Sequence, residues 1–501
     1  MSDSVFRRLS WRFDPAAKAT LSRRDLLKAG AAAGAAMLLS GARAWGVGAR
    51  PGRRLAAGRV LVIGGGLAGL TAAYELRSEQ IDVTVLEATG RLGGRVVTMN
   101  DLVPGKVVEG GGELIGSNHP LWLAYAERFG LTMAGLDVDE EGSTPVVIEG
   151  RRLSEDELER VYGEMAGAFM GLNAPAFPID AEKPWAAERA GELDARSMAD
   201  WLAQQEISEL ARKVIRADLT STNGVTLERQ SYLGFLAMLK GHGLGRFWIE
   251  TEVYRCRQGN QHLAFKLADA LGRERVKVGS AVVKVERTAS GVKATTRAGD
   301  VHEADELVLA IPPSTWDSIE WLPALPEAVR GADGTHRVQM GTNLKYLVQL
   351  KEAFWKKDKT GPHAQSDGPI GAVWDMTAGQ AGEGEAVACF SGGPRARAIA
   401  DMESRDVAPM YAAELKKLLP GIEGSVLRGR LMNWPKMPWA RCGYAFPAPG
   451  EVTAVGPALH AGAERLTFAG EHACYGFVGY MEGALQSGLN AARNVLIRAG
   501  R

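Results

Sequence analysis

Cysteine is scarce in this chain and nowhere paired. The four in 501 residues, Cys256, Cys389, Cys442 and Cys474, lie far apart with no C-x-x-C spacing. A disulfide framework is therefore not expected, and without an H-E-x-x-H motif neither is a zinc site; no metal is assigned. Net charge is also missing, because 59 Lys+Arg balance 59 Asp+Glu. That removes the electrostatic case for nucleic acid or an anionic membrane as partner and directs attention to a small molecule. No internal repeat or low-complexity linker is present. What remains is a composition 46% hydrophobic and 24% charged, ordinary for a globular protein and unlike a disordered or fibrous one. The length exceeds what one core usually organises, so two domains are expected.

The first 44 residues read differently from the rest. Ser22-Arg23-Arg24-Asp25-Leu26-Leu27-Lys28 precedes an alanine-rich apolar run from Ala29 to Ser40 and the small-x-small triplet Ala42-Arg43-Ala44. This resembles a twin-arginine export signal. The apolar run is too short and glycine-rich to span a bilayer, which takes roughly 20 residues. Export to the periplasm or beyond is expected, with no stable membrane insertion afterwards, and residues 1–44 are set aside from fold reasoning. Proteins using this route fold around their cofactor before crossing, which is what the resemblance implies here.

Beyond the leader, strand-rich and helix-rich blocks alternate. Val60–Ile63 and Val83–Leu86 read as short strands either side of a helix starting near Leu67, a βαβ unit. Residues 151–240 read as helical. Ser154-Glu155-Asp156-Glu157 is a capping-box pattern ahead of Leu158, Val161, Tyr162, Met165 and Phe169, with further helix starts near Ser197 and Thr226. Strands return between 276 and 311, where Pro312 and Pro313 stop the run. A mixed segment covers 335–433, and a strand followed by a long helix begins at Leu466.

The βαβ turn is where chemistry enters. Gly64, Gly66 and Gly69 form G-x-G-x-x-G directly after a strand and at a helix start, where free N–H groups and the helix dipole favour a pyrophosphate. Glu87 ends the second strand 23 residues after Gly64, near the spacing at which a carboxylate meets the ribose hydroxyls of a dinucleotide. Arg91-Leu92-Gly93-Gly94-Arg95 then sets two cations and two bare backbone positions beside the phosphates. A nicotinamide site has no need of that extension.

With E-x-x-x-R-x-G-G-R in place, the chain resembles the flavin-containing amine oxidase family, which includes monoamine oxidases and L-amino-acid oxidases, from about residue 58 to 497. Val108-Glu109-Gly110-Gly111-Gly112-Glu113 resembles the family's loop beside the flavin ring. Leu466-Thr467-Phe468-Ala469-Gly470-Glu471 and Gly479-Tyr480-Met481-Glu482-Gly483-Ala484 resemble the strand and helix that close on it. The resemblance implies an α/β protein with the amine oxidase fold: a Rossmann-like FAD-binding domain (55–116, 254–334, 434–497) interleaved with a mixed α+β substrate-binding domain (117–253, 335–433). Cofactor contacts are implied at Gly111, Gly112, Glu113, Val282, Gly470, Glu471, Tyr480 and Met481 as well. A helix start near Gly479 directs N–H groups to the flavin pyrimidine, which gains negative charge on reduction.

The implied reaction passes a hydride from an amine-bearing carbon to FAD, leaves an imine for water to hydrolyse, and returns the electrons to O2 as hydrogen peroxide. Tyr444 and Tyr480 match the two tyrosines that flank the amine in monoamine oxidases. Gly443 stands where those enzymes carry the flavin-linking cysteine, so FAD is expected to be non-covalent, with Cys442 next door. Lys345 falls on the family lysine that holds a water against flavin N5. Trp374 is a candidate for the substrate cavity, with a packed core position as the alternative. Leu114 stands where L-amino-acid oxidases carry the arginine that grips the substrate carboxylate, leaving Arg257 and Arg441 as candidates. The leading expectation is an L-amino-acid oxidase. Alternatives are a primary amine or polyamine oxidase of the same mechanism, an FAD-dependent desaturase or dehydrogenase, and a non-catalytic flavin module. A homodimer is the expected assembly.

Overall fold

A computed structural model describes residues 5–14, 58–136, 144–331, 333, 335–355 and 361–500. The twin-arginine motif, its apolar run and the Ala42–Ala44 triplet lie outside them. Arg59–Ile63 is an almost wholly apolar strand, and it takes the centre of a parallel sheet as such a run requires. The strand order is Leu466–Phe468, Glu306–Leu309, Arg59–Ile63, Asp82–Leu86, Val276–Lys277. Ile63 pairs with Leu86 on one side and Leu309 on the other, and Leu309 with Phe468. The carboxyl ends of four strands thus reach one rim. It carries Gly64, Glu87, Ala310 and Gly470, the crevice where open α/β sheets bind ligands.

One face of this sheet is covered by the helices Leu67–Ser78 and Met481–Arg498, which share a core with Val60, Val62, Val83 and Val308. They come so close that a side chain at Gly488 would collide with the Ala68 carbonyl. On the other face, Leu61, Ile63, Leu307 and Leu309 pack with Val285, Val292, Trp316 and Trp321 of a smaller four-stranded sheet and its flank.

A seven-stranded sheet forms the second layer system, in the order Val426–Met432, Asn343–Leu350, Glu385–Gly392, Ala372–Asp375, Ala364–Ser366, Val146–Ile148, Arg151–Arg152. Asn343–Leu350 lies between two antiparallel neighbours, so its Lys345 is interior rather than solvent-facing. The helical block follows its capping signals. Ser154 and Glu157 close a reciprocal box at Glu155–Gly171, as Ser197 and Asp200 do at Met198–Ala203. The helix expected near Thr226 is a single turn of 3-10 helix, Leu227–Arg229, without a side-chain cap. Gln230 ties that segment to the Leu219 and Val225 carbonyls, and the longer helix Tyr232–Gly241 starts only after Ser231 accepts the Gly234 N–H.

Two features were not foreseen. Val5–Phe13, set aside with the leader, is a helix whose Val5, Phe6 and Leu9 belong to the main helical core. Glu482, fully buried, caps a helix from another part of the chain, its two oxygens accepting the N–H groups of Leu121 (3.0 Å) and Trp122 (2.9 Å). All four cysteines are free thiols, three buried and Cys474 partly so. Among the described residues no helix is long and apolar enough to cross a membrane.

Glu482→Ala leaves two interior N–H groups without an acceptor, and unmet groups of this kind cost about 1–3 kcal/mol each. A lowered thermal midpoint in the variant, restored in part by Glu482→Gln, is the expected result of a denaturation scan.

Candidate active site

The three glycines of the turn have three separate reasons to be glycine. Gly64 sits at φ +113°, and a Cβ there would lie 2.6 Å from the Ala310 carbonyl oxygen of the neighbouring strand's end. Gly69 faces the Gly64 carbonyl so closely that no side chain fits. A Cβ on Gly66 meets nothing nearer than Gly94 Cα at 3.9 Å, so this position opens on free space. Glu87 braces the turn as well as lining it. One carboxylate oxygen accepts the Gly65 N–H (2.8 Å), the other the Thr89 N–H and hydroxyl (2.8 and 2.7 Å).

The Arg91–Arg95 stretch lies backbone to backbone with that turn. Gly93 bridges to Gly66, and its N–H donates to the Gly65 carbonyl at 2.9 Å. Both stretches border one cavity of about 410 Å³, which runs from Glu87, Ser280 and Val282 to Tyr444 and Tyr480. Every cofactor position expected from the sequence borders it except Gly69, whose role is in the turn's own packing. The helices Leu67–Ser78 and Met481–Arg498 both begin on it without a side-chain cap. Arg91 Nη1 is buried without a partner, and burial lowers the pKa of its guanidinium. Two open helix starts, an unbonded Arg91 Nη1 and a bare Gly66 are what a pyrophosphate needs. The residues therefore fit FAD.

At the far end, the loop 109–113 is fixed by charge. Glu113, buried, accepts from Lys345 Nζ (2.6 Å), Arg255 Nε (2.8 Å) and Trp374 Nε1 (3.1 Å to each oxygen). Burial alone would raise its pKa, but the two cations hold it below the usual carboxylate range. The other Lys345 hydrogens go to the carbonyls of Glu109 and Gly111, both at 3.0 Å. All three donors of the ammonium are engaged, so a water held by Lys345 must displace one of these oxygens. Glu109, also interior, is pushed up to about 8 by burial.

Glu471 organises the opposite wall. It accepts from Arg95 Nη1 (2.8 Å), from the Ala445 N–H (3.1 Å) and from the Gly479 N–H (2.8 Å), tying Tyr444 and Tyr480 to one carboxylate. The Tyr444 hydroxyl donates to the Thr222 carbonyl and receives Asn343 Nδ2 at 3.4 Å. The Tyr480 ring rests near His242, with centroids 4.6 Å apart. Burial raises both phenol pKa values well above the ordinary, and nearby Glu252 adds to this, so the hydroxyls stay protonated.

Several expectations change. Trp374 does not border the cavity; it stands behind Lys345, with Nζ 5.4 Å from its ring centroid, and holds Glu113. Arg441 pairs with Asp317 at the surface, and neither it nor Arg257 borders the cavity, so no carboxylate anchor comes from them. Cys442 also lies off the cavity, 3.3 Å from the Ser314 hydroxyl, in keeping with non-covalent flavin. Leu114 does border it. Arg255, Asn343 and Glu252 had been passed over. Arg255 opens a stretch, Arg255–Leu263, that resembles bacterial exported amino-acid oxidases, but no role was attached to it, and the other two gave no sequence signal.

Comparison with known proteins agrees with this geometry. The family model for flavin containing amine oxidoreductase matches residues 67–496, and that for a twin-arginine translocation signal matches residues 20–40. A flavin-containing amine oxidase of Danio rerio is 30% identical over 464 residues, covering 88% of this chain and 86% of its own. An L-amino acid dehydrogenase of Synechocystis is 27% identical, covering 87% and 94%. The solved structure of cyclohexylamine oxidase from Brevibacterium oxydans superposes with a TM-score of 0.79 at 24% identity, covering 88% of this chain and 99% of that one. A putrescine oxidase bound to putrescine gives 0.78 at 24%, with the same coverage.

Two outcomes are expected from the cavity. Gly66→Val fits the protein's own packing but fills the space of the phosphates, so the purified variant is folded by circular dichroism and lacks flavin absorbance. Full flavin occupancy would remove the turn from the cofactor site. Glu109 is protonated in the folded protein up to about pH 8, whereas an unfolded glutamate ionises near 4.5. Between those values the folded state binds the extra proton, so the stability that Glu109 contributes below pH 4.5 is lost as pH rises through about 8. Thermal midpoints measured from pH 5 to 9 should flatten in Glu109→Gln.

Proposed function

The chain belongs to the flavin-containing amine oxidoreductase family, and on that premise we propose that it oxidises a primary amine lacking a carboxylate, releasing hydrogen peroxide. It is an FAD-dependent oxidoreductase acting on amines and carries a twin-arginine export signal. The observation behind the finer reading is the charge balance of the cavity. Among the described residues, its lining cations are Arg91, Arg95 and Lys345. Lys345 is committed to Glu113 and Arg95 to Glu471, while Arg91 belongs to the phosphate end. Leu114 supplies no charge. None of these three cations is left to meet a substrate carboxylate near the tyrosines, so the order of the two sequence expectations reverses.

FAD, when bound, supplies the hydride acceptor. The chain's own part is to bind, orient and keep water out. In the proposed arrangement the faces of Tyr444 and Tyr480 align a neutral amine, and their protonated hydroxyls bring no negative charge that would favour the ammonium form. The open start of Met481–Arg498 offers N–H groups and a positive dipole end to charge arriving on the ring. Residues 55–116, 254–334 and 434–497 hold the dinucleotide in this reading, and 117–253 with 335–433 admit the amine. Lys345 is assigned to the oxygen half of the cycle, where a fixed cation stabilises the negative charge acquired by O2.

A peroxide-coupled screen of purified protein against primary amines, polyamines and the twenty L-amino acids tests the substrate class. Turnover of amines with no response to amino acids is expected; the reverse would restore the amino-acid reading, which the Synechocystis relative still favours. For Lys345→Met, stopped flow should show the reduced enzyme reacting with oxygen about a hundredfold more slowly, with anaerobic reduction by substrate little changed. Equal slowing of both halves would leave Lys345 only the task of holding the loop.

A further inference from the structure

The helix Val5–Phe13 precedes the twin-arginine signal, yet it is folded into the substrate side of the protein. Phe6 packs on Phe169 and Trp248 at centroid distances of 5.3 and 5.6 Å, and Arg12 pairs with Glu155. Arg7 points the same way as this apolar face and is buried. It borders a second cavity of about 40 Å³, shared with Asp218, Asn223, Trp248, Glu252 and Tyr480. Tyr480 is also a wall of the large cavity, so the two cavities meet at that residue. Trp248 Nε1, at the same place, is buried without a hydrogen-bond partner.

We propose that this second cavity is the outer end of the amine site, shaped for a second cationic group on the substrate, and that Arg7 occupies it while the leader remains attached. The inference rests on the amine reading above. A buried guanidinium is costly unless anions and ring faces receive it. Asp218, Glu252 and the rings of Phe247 and Trp248 form such a receptacle. Once signal cleavage carries residues 5–13 away, the same walls suit the far ammonium of a diamine, with the near amine, unprotonated, between Tyr444 and Tyr480. The tethered helix is therefore a competitor of substrate.

The test uses the full-length holoenzyme. Leu9→Asp should release the helix, seen as faster hydrogen exchange over residues 5–13, and raise kcat/KM for 1,4-diaminobutane by about tenfold. 1-Butylguanidinium should inhibit this variant competitively and leave the unmodified full chain unaffected. In the Leu9→Asp background, Glu252→Gln should cut the ratio of diamine to butylamine kcat/KM by about tenfold. If Leu9→Asp does not fold, Arg7→Ala, which keeps the helix and removes the guanidinium, should make the enzyme sensitive to 1-butylguanidinium. Helix release without a gain for the diamine overturns the proposal, as does guanidinium inhibition equal in all chains. Absence of peroxide from every amine, with flavin bound, overturns the amine reading itself, and this proposal with it.

Discussion

The buried carboxylate of Glu113 is the interaction on which the two layer systems depend. It takes hydrogen bonds from Lys345 and Trp374 of the seven-stranded sheet and from Arg255 of the strand Tyr254–Cys256. The loop 109–113 on the large cavity is thereby attached to the seven-stranded sheet. Breaking a buried ion pair costs about 3–5 kcal/mol, because the surviving charge has no solvent to turn to. Here two cations share one anion while Glu109, a further acid in contact range, is held neutral by burial. The cluster therefore keeps a net positive charge without an unpaired ion.

Glu471 has the corresponding place on the opposite wall. Its partners come from residues 95, 445 and 479, three separated parts of the chain. A carboxylate with several fixed donors leaves the groups around it few alternative positions. The two tyrosines inherit that rigidity through the backbone, Tyr444 from Ala445 and Tyr480 from Gly479. The position of these two rings on the cavity wall is thus set by main-chain anchoring more than by contacts of the rings themselves.

The βαβ unit, the parallel strands and the two capping boxes were legible because each depends on residues close in sequence. The glycine motif was legible as a pattern but not as physics. Gly64 answers to Ala310 and Gly69 to Gly64, so only Gly66 is kept bare by the cavity itself. Lys345 could be singled out as an expensive lysine in an apolar strand. Its acceptor Glu113 lies 232 positions earlier, and no local rule connects them. Trp374 was left open between core and cavity for the same reason, since a strand tryptophan faces one or the other according to neighbours that only the folded sheet supplies. The helix Val5–Phe13 was missed because a leader was taken to have no tertiary partner.

The state of the four thiols bears on how long such a protein lasts. Burial lifts the pKa of Cys256 to about 11 and of Cys474 to about 12, and raises Cys389 and Cys442 as well. Hydrogen peroxide attacks the thiolate, and a thiol held protonated in the interior reacts poorly. In the proposed reaction hydrogen peroxide is released inside the same fold that holds these thiols. Keeping all four thiols un-ionised would give the cysteines of this chain a passive resistance to that product.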